Sequence, residues 1–230
     1  MKAMVLAAGR GERMRPLTDE LPKPLLSVND KPLIAYHLEK LAAAGVTDVV
    51  INHAWLGEKI ERMLGDGSQW GVSVTYSPEP KGGLETAGGI IKALRALGSE
   101  PFWVINGDVW TTIDFNRLPR HLCRDDMAHL ILVNNPAHNK AGDFGIENGR
   151  LRAKSADNGS YTYAGIGLFR PQWFSGLPAE KLALRPLFEQ AIATDSLAAT
   201  LLTDCDWFDI GTPQRLAALD SKLRGANDLG

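Results

Sequence analysis

The chain is poor in cysteine: 230 residues contain only Cys123 and Cys205. No Cys-x-x-Cys pair or Cys/His metal spacing occurs, which excludes a disulfide-stapled scaffold and a structural zinc site. Long apolar runs are missing as well. None approaches the ~20 residues of a membrane helix. The first apolar stretch, Ala3 to Ala8, is shorter than the ~7–15 residues of a signal-peptide core. An excess of one charge is also lacking. Twenty-five Lys and Arg against 27 Asp and Glu leave a net charge of −2, without the basic surplus that nucleic-acid binders carry. A cytoplasmic globular protein is expected, with no nucleic acid, membrane or protein partner and with a monomer permitted. Its 44% hydrophobic and 23% charged content is that of an ordinary folded domain, and the length favours one domain over two.

Two periodicities alternate along the first half. Lys2–Leu6 reads as a buried strand followed by a Gly-containing loop. Asp30 and Pro32 mark a helix start, with Leu33, Tyr36, His37 and Leu41 on its apolar face and Gly45 at its end. Val49–Ile51 reads as a strand, and Leu56, Ile60, Met63 and Leu64 as a helical stripe stopped by Gly65. Val72–Tyr76, Thr86–Leu97 and Phe102–Ile105 continue as strand, helix and strand. The second half is less regular, with strands expected at Leu130–Val133, Gly145–Ala153, Tyr161–Phe169 and Leu197–Leu202, and helices at Pro186–Ala193 and Pro213–Lys222. The pattern predicts a three-layer α/β/α sandwich around a Rossmann-like, mostly parallel sheet. Ligands of such sheets bind at the carboxyl ends of the strands.

The loop after the first strand runs Leu6-Ala7-Ala8-Gly9-Arg10-Gly11-Glu12-Arg13-Met14-Arg15-Pro16-Leu17-Thr18. Its small residues let the backbone approach phosphate oxygens closely, and Arg10, Arg13 and Arg15 add guanidinium forks. Lys23 stands between Pro22 and Pro24, which restrict the backbone on both sides. Met14 occupies the third glycine position of a dinucleotide fingerprint, and no Gly-Lys-Ser/Thr is present, so neither an NAD loop nor a Walker loop is read here.

Two aspartates are candidates for a divalent cation. Asp108 follows a central strand in Asn106-Gly107-Asp108, and Asp209 lies between a short aromatic strand and the helix begun by Thr212 and Pro213. Mg²⁺ takes one or two carboxylates together with water and substrate phosphate oxygens. Asp114, Asp125, Asp126 and Asp204 are expected in solvated loops. The segment from Glu79 to Gly89 contains Gly82, Gly83, Gly88 and Gly89. Two glycines within one helical turn cost roughly 1 kcal/mol each, which points to close approach of a ligand or of another backbone, tight packing being the plainer reason.

Taken together, the first loop with Pro22-Lys23-Pro24, Asn106-Gly107-Asp108, and Asp209-Ile210-Gly211-Thr212-Pro213 resemble the signature segments of the sugar-1-phosphate nucleotidyltransferases. Ile51 to Gly57, Leu84-Glu85-Thr86, Val109-Trp110 and Gly142-Asp143-Phe144 resemble the members that join UTP to N-acetylmuramate-1-phosphate in cell-wall recycling. The resemblance implies one domain spanning 1–230, with a nucleotide-binding half at 1–110 and a sugar-binding half at 111–230. It implies Mg²⁺ on Asp108 and Asp209, with Arg13, Lys23 and Asp108 catalytic. Ala7, Ala8, Gly9, Gly11, Glu12, Arg13, Lys23, Gly82 and Gly83 are expected to hold the nucleotide, and Asn106, Asp143, Lys154 and Asp209 the sugar phosphate. Where many relatives carry Glu-Lys-Pro, this chain reads Ala153-Lys154-Ser155, so Lys154 alone would keep the phosphate contact; it or Arg152 would meet a lactyl carboxylate. A guanylyltransferase of mannose-1-phosphate, a thymidylyltransferase of glucose-1-phosphate and a non-catalytic nucleotide-sugar sensor stay open at this point.

Overall fold

The computed structural model describes residues 1–123, 125–157 and 159–227. In chain order it builds β1 (Lys2–Leu6), α1 (Leu17–Glu20), β2 (Ser27–Val28), β3 (Lys31–Pro32), α2 (Leu33–Ala43), β4 (Asp48–His53), α3 (Gly57–Leu64), β5 (Ser73–Pro78), α4 (Glu85–Leu97), β6 (Phe102–Asn106) and β7 (Val109–Thr111). The second half adds β8 (Ala128–Val133), β9 (Gly145–Glu147), β10 (Arg150–Arg152), β11 (Thr162–Phe169), α5 (Arg185–Ala193), β12 (Leu197–Leu202), β13 (Trp207–Asp209) and α6 (Pro213–Asn227).

Nine strands form one sheet in the order β5-β4-β1-β6-β11-β8-β12-β10-β9. β5, β4, β1 and β6 are mutually parallel, as are β8 and β12, while β11 and β10 run against their neighbours. Successive side chains of a strand face opposite sides, and here both sides are covered. Ala3, Val5, Ile51, Trp103 and Ile105 bury with Ile34, Leu38 and Leu41 of α2 and Ile60 and Leu64 of α3. Met4, Val50, Phe102 and Val104 bury on the other face with Ile90 and Leu97 of α4 and Phe188 of α5. The expected three-layer sandwich is the architecture found. A third cluster joins Met14, Leu26, Val28 and Leu33 to Trp110, Ile210 and Leu219.

Several local expectations are corrected. Asp30 caps no helix: Asn29 and Asp30 are left-handed, with φ of 50° and 62°, and form the two-residue turn of the β2–β3 hairpin. The Asp30 carboxylate instead meets Arg224 at 2.9 and 3.1 Å. The single strand expected at Gly145–Ala153 is the hairpin β9–β10, turned at Asn148 and Gly149, both with positive φ. Met63 is exposed rather than on the buried stripe of α3. Asp126 is only 3% exposed and binds Arg150 at 2.6 Å, so it is a buried ion pair and not a solvated loop residue.

The chain passes from β1 to β4 and β5 on one side, then returns to β6 on the other. Strand order therefore reverses between β1 and β6. In register, Leu6 stands beside both Asn52 and Asn106, so three strand ends meet where open α/β sheets bind ligands.

His37 lies on α2 beneath this region, buried, with Nε2 donating to the Val109 carbonyl at 2.7 Å. Burial pushes its pKa down from 6.5 to about 4. The unfolded chain thus takes up a proton first as pH falls. The stability this histidine contributes is complete above pH 6.5 and is lost as pH drops toward 4. Linkage puts the loss at roughly 2–3 kcal/mol. His37→Gln keeps an N–H for Val109 but cannot titrate. Urea unfolding at pH 7 and pH 4.5 should show a smaller loss in the variant, and equal losses in the two proteins would contradict the assignment.

Candidate active site

A cleft of about 430 Å³ opens at these strand ends, lined by Leu6 to Met14, Lys23, Pro24, Asn52, Gly82, Glu85, Thr86, Asn106, Asp108 and Gly211. Its size suits a small-molecule ligand. The first loop closes on itself, with Thr18 Oγ1 donating to the Gly11 carbonyl at 2.8 Å and the Met14 amide donating to the same carbonyl at 2.8 Å. Gly11 takes φ of 69°, and a Cβ there would sit 3.0 Å from the Thr18 methyl. This turn requires glycine.

The three arginines of the loop have different duties. Arg10 donates to the Thr18 carbonyl at 2.8 Å and to Asp19 at 3.1 Å, and its guanidinium stacks 3.7 Å from the centre of the Trp55 ring. The bond from Arg10 holds the Asp19 carboxyl below the usual range. Arg15 pairs with Asp19 and Glu12 at the surface. Arg13 lines the cleft, and among the described residues its side chain has no hydrogen-bond or ion-pair partner. It lies against Gly211, whose Cβ would approach Arg13 Nη2 to 3.3 Å.

Lys23 is 8% exposed and is ion-paired with Asp108 Oδ2. Asp108 and Asp209, a hundred residues apart in sequence, are adjacent in space. β13 pairs with β7 so that Asp209 opposes Val109, and the Ile210 amide donates to the Asp108 carbonyl at 2.8 Å. Asp209 Oδ1 accepts from the Arg215 guanidinium, and His138 Nε2 lies 2.7 Å from the same oxygen. Gly211 is what lets the Arg215 guanidinium cross the backbone to it, since a Cβ there would overlap Nη2. Among the described residues, no set of three or more His, Cys, Asp or Glu side chains gathers as a protein-only metal cage. Asp108 lines the cleft, whereas Asp209 is not among its lining residues and joins Asp108 through the backbone ladder. One or two carboxylates completed by water and substrate phosphate are the donor set that Mg²⁺ takes. The second oxygen of each, Asp108 Oδ1 and Asp209 Oδ2, has no partner among the described residues.

Asn106 lines the cleft. It is seated by a bulge in β11, where Gly165, with φ of 70°, leaves the room that its side chain fills. Of the glycines after β5, Gly82 lines the cleft, and Gly83 packs toward the Ala8 carbonyl. The Gly88–Gly89 pair is explained by packing: a Cβ on Gly88 would strike the Glu180 carbonyl at 2.0 Å, and one on Gly89 would reach Glu79 and Asn52 side-chain atoms within 3 Å.

Asp143 and Lys154 are not among the residues lining this cleft. The Asp143 carboxylate accepts from the Tyr163 amide at 2.9 Å and from Asn139 at 3.2 Å. Lys154 donates to the Ala141 and Gly142 carbonyls at 3.2 and 3.0 Å. Arg152 is committed to Asp195 and Glu147. The sequence reading missed Asn52, Glu79, His138 and Arg215. Arg215 falls in the first turn after the Thr212-Pro213 start, a position that signals closeness to Asp209. Asn52 and Glu79 lie in segments singled out above but without a role of their own, and His138 carries no local signal.

A family model described as nucleotidyl transferase matches residues 2–225. The chain is 51% identical over 225 residues, 94% of its own length and 95% of the other, to an N-acetylmuramate alpha-1-phosphate uridylyltransferase of Neisseria meningitidis serogroup B. A protein of the same description from Caulobacter vibrioides is 31% identical over 236 residues, covering 97% of both chains. Among solved structures, HddC from Yersinia pseudotuberculosis complexed with GMP-PN superposes with a TM-score of 0.80 at 20% identity, over 96% of this chain and 99% of that one. The backbone likeness gives the fold, and the match along nearly the whole length gives the relationship: this chain belongs to the nucleotidyl transferase family.

Proposed function

We propose that the cleft joins UTP to N-acetylmuramate α-1-phosphate, yielding UDP-N-acetylmuramate and pyrophosphate, and that the reaction serves peptidoglycan recycling in the cytoplasm. The observation that carries this reading is the 51% identity, along almost the full length of both chains, to a relative described by that uridylyl transfer. In the reaction, a phosphate oxygen of the sugar attacks the α-phosphorus of UTP. The bond from that phosphorus to the α,β-bridging oxygen breaks, and pyrophosphate leaves with the electron pair. Two anions must approach each other, so catalysis consists mainly of alignment and charge neutralisation.

We assign the loop from Ala7 through Ala8, Gly9, Gly11 and Glu12, with Gly82 and Gly83, to the base and ribose. Arg13, with no side-chain partner among the described residues, is suited to the departing pyrophosphate. Lys23 is suited to charge that develops on the α-phosphate, shifting its ammonium from Asp108 toward it. Asp108 and Asp209 would hold Mg²⁺, which when bound neutralises phosphate charge and supports in-line alignment. Asn106 is assigned to the sugar. Asp143, with Asn106, is assigned to hydroxyl or amide groups of the sugar and Lys154 to its phosphate, and Asp143 and Lys154 would each exchange a loop partner for substrate. Residues 1–110 then act as the nucleotide half, and 111–230 as the sugar half, of one domain.

A panel of nucleoside triphosphates against sugar-1-phosphates, scored by pyrophosphate release, tests the assignment. UTP with N-acetylmuramate α-1-phosphate should give the highest kcat/KM. Preference for GTP with mannose-1-phosphate, or for dTTP with glucose-1-phosphate, would reject it.

A further inference from the structure

A relay of three hydrogen bonds follows the cleft wall and belongs to none of the roles above. The Ala7 amide donates to Asn52 Oδ1 at 2.9 Å, Asn52 Nδ2 donates to Glu79 Oε1 at 2.6 Å, and the Leu84 amide donates to Glu79 Oε2 at 2.7 Å. Each end of the relay is backbone from a different loop. Ala7 opens the one after β1, and Leu84 closes the one after β5 that contains Gly82 and Gly83. Its centre is anchored on the sheet, because Asn52 lies near the end of β4, 2% exposed, in register with Leu6.

The chemistry of the middle residue is restrictive. It must accept from an amide on one side and donate to a carboxylate on the other, which an asparagine does and an aspartate does not. Space for the pair is made on α4. A Cβ on Gly89 would lie 2.5 Å from Glu79 Oε1 and 2.8 Å from Asn52 Nδ2. The helix therefore gives up favourable propensity at this position to admit the relay.

We propose that Asn52 and Glu79 are positioning residues that fix the separation between the loop after β1 and the loop after β5, and so set affinity for the nucleoside triphosphate without touching the reacting phosphorus. The proposal rests on the reading that the cleft holds a nucleotide. It distinguishes the two substrates: loosening the loops weakens the nucleotide, whereas the sugar phosphate, assigned to Asn106 and the second half, is affected little.

The test exploits the polarity of the central bond. Asn52→Asp alone sets two carboxylates against each other, which repel. Asn52→Asp combined with Glu79→Gln restores every bond with the central donor and acceptor exchanged, and keeps the net charge. The single variant should weaken UTP binding about tenfold or more by calorimetry, the scale of a lost charge-assisted hydrogen bond, while changing the sugar-phosphate KM less than about twofold. The double variant should recover most of the UTP affinity, a coupling that separate structural defects do not produce. Thermal melts of all three proteins accompany the binding data. Equal loss toward both substrates, a lower melting temperature with unchanged UTP affinity, or no recovery in the double variant would overturn the proposal. If the wild type releases no pyrophosphate from any pair, the proposed reaction fails, and the positioning role is then judged by affinity for whichever triphosphate binds. A wild type that binds no nucleoside triphosphate overturns both.

Discussion

Asp108→Ala is expected to lower turnover by at least ~10²-fold, the scale of several kcal/mol of lost charge stabilisation, in a protein that remains folded. The fold is spared because the bond that ties this position to the second aspartate is a backbone one, from the Ile210 amide to the Asp108 carbonyl. The side chain has other duties. One oxygen holds the Lys23 ammonium, and the other is directed to no described residue. Alanine removes a candidate cation ligand and leaves a largely buried lysine without its counter-charge, a costly state in a partly desolvated site. Asp209→Ala should act in the same direction, since its carboxylate organises Arg215 and His138. Near-wild-type turnover in both variants at physiological magnesium would reject the carboxylate assignment. Parallel melting curves separate lost chemistry from lost folding.

Lys23→Ala is expected to cost kcat on the order of 10²-fold or more and nucleotide affinity much less, because the charge the ammonium meets grows along the reaction path. Its backbone is held by Pro22 at φ −64° and by the short turn Lys23–Leu25, so the side chain leaves the chain in a restricted direction. Lys23→Arg should not restore activity, since a planar fork does not occupy the place of a compact ammonium. Separate kcat and KM values for each substrate check this. A variant that loses only affinity would show that Lys23 binds ground state and transition state alike.

The parts of this architecture that depend on near neighbours were legible in the residues. β1 and β12 have the expected bounds because a short apolar run between turn signals defines a buried strand. α4 ends at Gly98, as its glycine indicated. The failures share a cause. The sequence places Asp126 in a solvated loop because its partner Arg150 is 24 residues away. The role of Asn52 is not legible locally because its partners are 45 and 27 residues distant. The β9–β10 hairpin is the exception, for Asn148-Gly149 is a strong local turn signal inside the stretch that the apolar pattern alone reads as one strand. For the two aspartates, position at strand ends is readable, but the approach of their backbones depends on the β7–β13 ladder, and β7 is too short to announce itself.

The cluster around Trp110 has a consequence for biosynthesis. Met14, Leu26, Val28 and Leu33 come from the beginning of the chain, and Ile210 and Leu219 come from near its end. A polypeptide emerging from the ribosome therefore holds the β2–β3 hairpin without this cover until α6 has been made. Domains fold as units during synthesis; here the seal over the β2–β3 hairpin and the strand that carries Asp209 beside Asp108 both come from a segment synthesised far later than the hairpin itself.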